Sequence, residues 1–110
     1  MSLLVKVSVR VKREVDAIFE WLSGHSQTGA FRWYEAYLTT LHSLPVTAPG
    51  SSRAPEADTI GMDLQQVLFK TRKGRVYRLL IAIRGNVIHV VAVRGGGQRE
   101  ATWDDLELPD

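Results

Sequence analysis

The chain contains no cysteine, and this absence excludes several kinds of site at once. Disulfide bonds, thiolate metal centres and a cysteine nucleophile are all ruled out. The histidines, His25, His42 and His89, are too scattered for a recognisable metal-binding motif. We therefore expect neither a metal nor another cofactor, and the lack of cysteine fits a reducing compartment such as the cytoplasm.

Long hydrophobic runs are also missing. No segment approaches the roughly 20 apolar residues that a membrane span needs. The first residues place Lys6 and Arg10 in an alternating pattern that does not resemble a secretory signal, so the sequence predicts a cytoplasmic protein without membrane contact. The chain has 110 residues, 45% hydrophobic and 24% charged, which predicts one globular domain over residues 1–110.

Acidic residues are scarce between residues 70 and 100, whereas basic residues are concentrated there. Between residues 70 and 100 the only acid is Glu100. The basic residues of this segment are Lys70, Arg72, Lys73, Arg75, Arg78, Arg84, Arg94 and Arg99. Such a segment predicts a polyanionic partner such as nucleic acid, although an ordinary solvated surface would have the same composition.

The first half of the chain predicts a strand followed by two helices. Apolar and polar residues alternate over residues 3–10, which indicates a half-buried strand. From Val11 the apolar spacing becomes helical, and Gly24 should end this first helix. A second helix, which includes Ala30, should end at Pro45, because proline cannot donate a helical hydrogen bond.

The second half predicts a loop and then consecutive hairpins. Residues 45–62 contain three of the four prolines and predict a long irregular loop. Gly74 and Gly85 mark two turns where a left-handed backbone would be tolerated. The predicted strands are residues 64–70, 76–83 and 87–93, followed by a short terminal helix near residues 102–105.

These elements predict an α+β domain of order β-α-α-β-β-β. A helical hairpin should pack on one face of a mostly antiparallel four-stranded sheet. The last two strands are apolar on both faces, and two helices cover only one of them. The other face needs either a segment of a bound partner or the Pro-rich loop together with the terminal helix.

Four stretches in order carry a family resemblance. They are residues 15–22 (VDAIFEWL), 30–34 (AFRWY), 54–56 (APE), and 76–81 with 87–95 (VYRLLI and VIHVVAVRG). On these stretches the chain resembles the RelE/ParE family of toxins from type II toxin–antitoxin systems, which include plasmid stabilisation proteins. The resemblance covers nearly the whole length. It implies a cytoplasmic toxin that a cognate antitoxin neutralises, usually by wrapping its C-terminal segment around the toxin.

The resemblance leaves the mode of growth inhibition open. ParE-like members inhibit DNA gyrase, whereas RelE-like members are metal-independent endoribonucleases that cut messenger RNA on the ribosome. The helical hairpin and the Arg32-Trp33-Tyr34 run are more similar to the ParE side, which places gyrase inhibition first. A relic that only binds its antitoxin is the remaining alternative.

Two arginines are the candidate catalytic residues. Arg78 matches the arginine that follows tyrosine in the family's third strand, a position that RelE-like enzymes use for phosphate contact. Its alternative role is an ion pair with a loop carboxylate such as Glu56 or Asp63. Arg94 lies where ParE-like sequences have Arg-His-Gly, but glycine replaces that histidine here, which removes a proton-transfer group and weakens the case for RNA cleavage.

Two further groups of residues are candidates for binding. The residues predicted to contact nucleic acid or another target are Lys70, Arg72, Lys73, Arg75, Arg99 and Trp103. The residues predicted to contact the antitoxin are Trp33, Tyr37, Leu80 and Val90. Core packing is the competing interpretation for the aromatic residues of both groups.

Overall fold

The computed structural model describes residues 3–72, 74–95 and 100–107, without the side chain of Trp103. It has α+β architecture. Within this part of the chain, no helix combines the length and the apolar character needed to cross a bilayer. The elements are β1 (Leu4–Val7), α1 (Val9–Ser23), α2 (Gln27–Thr47), β2 (Ser52–Arg53), α3 (Glu56–Ile60), β3 (Gln65–Phe69), β4 (Tyr77–Arg84) and β5 (Val87–Gly95), with 3-10 turns at Ala48–Gly50 and Trp103–Asp105.

The sheet has five strands in the order β1-β5-β4-β3-β2. β1 runs parallel to β5, and the other neighbours are antiparallel. The predicted number of four strands is therefore wrong, because β2 adds a fifth strand inside the segment predicted to be irregular. Ser52 and Arg53 are both exposed, so β2 lacks the apolar alternation by which a strand is identified from sequence.

Helix α1 begins earlier than the sequence predicts. The hydroxyl of Ser8 accepts a hydrogen bond from the backbone N–H of Val11 at 3.1 Å, which makes Ser8 the N-cap. The strand therefore ends at Val7, and the alternation that continues to Arg10 is already helical. In the same way, the hydroxyl of Ser26 accepts from the N–H of Gly29 at 3.0 Å and caps α2.

Helix α2 ends later than predicted. Pro45 lies inside the helix, which continues to Thr47. A proline so close to the C-terminus removes one hydrogen bond. Leu44 and Ala48 on either side of it are fully buried, and their packing keeps this last turn in place.

The sheet has a hydrophobic core on each face. The core between the helices and the sheet contains Val11, Val15, Trp33, Tyr37, Leu44, Ala48, Phe69, Leu79, Ile81, Ile88, Val90 and Val93. The core on the opposite face contains Ala54, Ala57, Ile60, Leu64, Leu80, Ala82, Val91, Ala92, Ala101 and Leu106. The segment around α3 and the C-terminal residues thus cover the second face. Of the two covers considered from the sequence, this is the Pro-rich loop with the C-terminal segment, and not a bound partner.

A register shift interrupts the pairing of β4 with β5, and the paired residues on each side of it still share one face of the sheet. Leu80 pairs with Ala92 and Ile81 pairs with Val90, so Val91 is an extra residue on β5. Along β4, Leu79 and Ile81 lie in one core and Leu80 and Ala82 lie in the other.

Glycine allows a left-handed backbone at two turns. Gly85 in the β4–β5 turn has φ 59°, as its sequence context predicts, and Gly61 ends α3 with φ 80°. Gly74 does not adopt a positive φ. The turn that contains Gly74 is closed by a hydrogen bond from its N–H to the carbonyl of Thr71 at 3.1 Å.

Candidate functional site

The two candidate catalytic arginines lie directly opposite each other on neighbouring strands. Arg78 of β4 pairs with Arg94 of β5, and directly opposed residues project from the same face of a sheet. Arg94 is only 5% exposed, and the side chain of Arg78 is 17% exposed. The fold therefore brings the two residues together, but it buries most of both side chains.

Arg78 makes a two-pronged ion pair with Glu56. Its Nη1 donates to Oε1 of Glu56 at 2.9 Å and its Nη2 donates to Oε2 at 2.7 Å. Nη1 also donates to Oε1 of Gln66 at 3.0 Å. The ion-pair role considered for Arg78 is thus present with Glu56, whereas Asp63 pairs with Arg53 instead.

Glu56 is fully buried and ionised. Burial alone would raise the pKa of its carboxyl group, but the hydrogen bonds from Arg78 and from the backbone N–H of Ala101 outweigh that effect and lower the pKa to about 2. The N–H of Ala101 donates to Oε2 at 3.0 Å. If Arg78 turned toward a phosphate, a buried carboxylate would lose its counter-charge, which costs several kcal/mol.

The C-terminal segment is held by α1 as well. The guanidinium of Arg10 donates to the backbone carbonyl of Asp104, and the Arg10 N–H donates to Oε2 of Glu107 at 3.1 Å. Burial raises the pKa of the neighbouring Glu14, and the positive charges of Arg10 and Arg94 oppose that rise. Arg10 therefore connects α1 with the C-terminal segment.

A second group of basic residues surrounds an open cleft of about 540 Å³. The cleft lies where the turn between α1 and α2 meets the turn between β3 and β4. We call it the arginine cleft, and its main lining residues are Trp21, His25, Arg32, Trp33, Arg72, Arg75 and Tyr77. Of these, Arg72 and Arg75 belong to the residues predicted to bind nucleic acid or another target.

Buried aromatic rings form the apolar part of the cleft wall. The ring centroid of Trp33 lies 5.3 Å from that of Tyr77 and 5.9 Å from that of Phe69. The indole Nε1 of Trp33 is buried and has no acceptor within the described part of the chain. These rings hold α2 against β3 and β4, so the cleft is built on packed elements.

Among the residues that the structure describes, the positive charges of the arginine cleft have no acidic partner. No acidic residue is among its described lining residues, and Arg32, Arg72 and Arg75 form no ion pair with any residue that the structure describes. Arg53 and Arg78, by contrast, are both paired with carboxylates. Three exposed guanidinium groups beside aromatic rings can bind an anionic ligand.

The other predicted binding residues have different positions. Lys70 is exposed after β3, while Lys73, Arg99 and the side chain of Trp103 lie outside the described residues. The four predicted antitoxin contacts are all buried in the two cores: Trp33, Tyr37, Leu80 and Val90. A partner would reach Tyr37, Leu80 and Val90 only if the fold opened, whereas Trp33 also lines the arginine cleft.

Sequence reasoning missed Trp21 and Arg32 as site residues. Trp21 is 61% exposed, and it lies off the apolar stripe of α1, which was the available signal. Nothing in the sequence indicates that Arg32 lines the same cleft as Arg72 and Arg75, because that depends on how two distant turns meet.

Comparison of the sequence with known protein families and curated proteins, and of the fold with solved structures, finds no match.

Proposed function

We propose that this chain is a RelE/ParE-type toxin that inhibits growth by binding an essential target, with DNA gyrase ahead of ribosome-bound messenger RNA. The observation that carries the choice of binding over RNA cleavage is the pairing of Arg78 with buried Glu56. A cation that stabilises the transition state of RNA cleavage must be available to the phosphate. The guanidinium of Arg78 instead binds the carboxylate of Glu56.

Two features of the fold support the family assignment within this proposal. The order β-α-α-β-β-β is present once the short β2 and α3 are set aside, and the helical hairpin packs on one face of the sheet. The residues that carry the resemblance include Glu56 and Arg78, which form the buried ion pair.

The proposal includes a cytoplasmic location and a cognate antitoxin. An apolar stripe on α2 is exposed at Phe31, Tyr34 and Leu38, which follow one another at helical spacing. Phe19 of α1 packs edge-on against the first two of these rings, at 5.4 and 5.8 Å between centroids. This stripe supports an amphipathic helix of the antitoxin as its occupant, and it is accessible without opening either core.

Induced expression in a bacterium tests the proposal. We expect growth arrest with a DNA damage response and broken DNA, whereas truncated messenger RNA with arrested translation would establish the RelE-like alternative instead. If the folded protein leaves growth unchanged, the chain is a relic that only binds its antitoxin. The double variant E56Q/R78M should retain inhibition if it is folded, and a folded double variant without inhibition would return Arg78 to the functional site.

A further inference from the structure

We infer that the arginine cleft binds a nucleotide unit, with its phosphate held by Arg32, Arg72 and Arg75 and its base stacked on Trp21. This inference is independent of the proposed growth inhibition, because it concerns direct binding by the purified chain. The site is distinct from the Arg78–Arg94 pair in the sheet. Its ligand is either a free nucleotide or one unit of a single-stranded nucleic acid, since the two share the same chemistry.

The phosphate position follows from where the positive charges meet. Arg32 comes from the first turns of α2, and Arg72 and Arg75 come from the β3–β4 turn. Ser26 and Gly29 at the start of α2 also line the cleft, where the helix dipole adds positive potential. A guanidinium group presents paired N–H donors that match phosphate oxygens, so three of them with no carboxylate among the described lining residues favour a phosphate over a neutral ligand.

The base position follows from Trp21. Its indole is 61% exposed at the cleft, which leaves a large hydrophobic surface in contact with water. The ring of His25 lies 4.5 Å from it between centroids, and His25 Nδ1 donates to the carbonyl of Trp21 at 3.0 Å. These two contacts hold the aromatic pair at the cleft, where the indole offers a surface for stacking a base.

The size and lining of the cleft favour a nucleotide over other anions. A volume of about 540 Å³ falls within the range of small-ligand sites. A duplex keeps its bases stacked inside, so it would leave Trp21 without a partner. An acidic peptide would satisfy the arginines but would not need the aromatic surface.

Fluorescence anisotropy with the purified full chain tests this inference. The probe is a labelled single-stranded oligonucleotide of about eight nucleotides at about 50 mM salt. We expect R32A, R72A and R75A each to weaken binding about tenfold. The matched control is R84A, which removes an exposed arginine at the opposite end of β4 and should leave affinity unchanged.

Trp21 separates stacking from charge. W21A should weaken oligonucleotide binding about tenfold but leave the binding of inorganic triphosphate unchanged, and W21F should restore most of the affinity for the oligonucleotide. Competition by ATP at similar concentration would identify a free nucleotide as the ligand, whereas competition by the oligonucleotide alone would identify a nucleic acid strand.

Several results would overturn the inference. They are the absence of binding to both the oligonucleotide and ATP, equal loss of affinity in R84A and R72A, equal affinity for a duplex, and displacement of the oligonucleotide by an oligo-glutamate peptide at the same concentration as ATP. Each variant is checked by circular dichroism and thermal melting. Since all the altered side chains are exposed, we expect their melting curves to match that of the original protein.

Discussion

Arg78 holds both carboxylate oxygens of Glu56, at 2.9 and 2.7 Å, across a sequence separation of 22 residues. The same carboxylate accepts the backbone N–H of Ala101. One buried ion pair therefore connects β4, the start of α3 and the C-terminal segment. Arg78, for which the family resemblance implies phosphate contact, thus joins β4 to the elements that cover the second face of the sheet.

The first prediction concerns acid stability. Because the pKa of Glu56 is lowered from 4.5 to about 2, its contribution is fully present above about pH 4.5 and is lost as the pH falls through about 2. We expect E56Q to lower the free energy of unfolding by about 3 kcal/mol at pH 7 and to flatten its pH dependence in this window. Urea denaturation at pH 7 measures the loss of stability, and a series of such experiments between about pH 2 and pH 4.5 measures the pH dependence.

The control for this experiment is D63N. Asp63 is 99% exposed in its pair with Arg53, so its removal should change stability by less than about 0.5 kcal/mol. If E56Q keeps the acid dependence of the original protein, the buried pair does not provide it.

The second prediction separates charge from packing in the ion pair. R78M should destabilise the fold by about 3 to 5 kcal/mol, because the carboxylate of Glu56 then stays buried without a counter-charge. The double variant E56Q/R78M removes both charges and keeps an acceptor for the Ala101 N–H, so it should be more stable than R78M. Chemical denaturation of both single variants and the double variant gives the coupling energy. A double variant that is less stable than R78M would contradict this account.

The third prediction concerns the cover of the second sheet face. Leu80 is completely buried there, whereas Leu68 on the neighbouring strand is 56% exposed. L80A should lower the free energy of unfolding of the isolated chain by about 3 kcal/mol, and L68A should change it by less than about 0.5 kcal/mol. Urea midpoints measure the difference. If L80A left stability unchanged and weakened only antitoxin binding, Leu80 would be a partner contact after all.

The fourth prediction concerns the proline inside α2. Pro45 is exposed and interrupts the hydrogen bonding of the last turns, so P45A should restore one backbone hydrogen bond. We expect a gain of about 1 kcal/mol in the free energy of unfolding, since the greater freedom of the unfolded chain offsets part of the helical gain. The matched control is P49A in the 3-10 turn, where no α-helical hydrogen bond can be regained. A lower thermal midpoint for P45A would show that the proline stabilises the turn.

The regular elements of the fold could be predicted because their periodicity is local. The strand predicted over residues 76–83 and the helical spacing from Val11 onward both appear in the structure, as β4 and α1. The segment before β3 could not be predicted in the same way. Ala54, Ala57 and Ile60 are apolar but stand among prolines and serines, and only their packing against Leu80 and its neighbours reveals them as core.

The candidate site was predictable only in part, for a related reason. The excess of basic residues near Arg72 and Arg75 is a property of composition, so the sequence shows it. Whether a given arginine is free to bind a ligand depends on its neighbours in space, as the contrast between Arg75 and the ion-paired Arg78 demonstrates. The contribution of Arg32 and Trp21 to the same cleft depends on the meeting of two turns, which no short sequence pattern encodes.

The parallel pairing of β1 has a consequence for how the chain folds during synthesis. Leu4 pairs with Val87 and Val7 pairs with Val90, so these partners lie roughly 80 positions apart, and such long-range contacts form slowly. The ribosome releases β1 long before β5 exists, and in that interval its exposed edge has no strand beside it. We therefore expect the helical hairpin and the β4–β5 hairpin to form first, with β1 docking as a late step that completes the sheet.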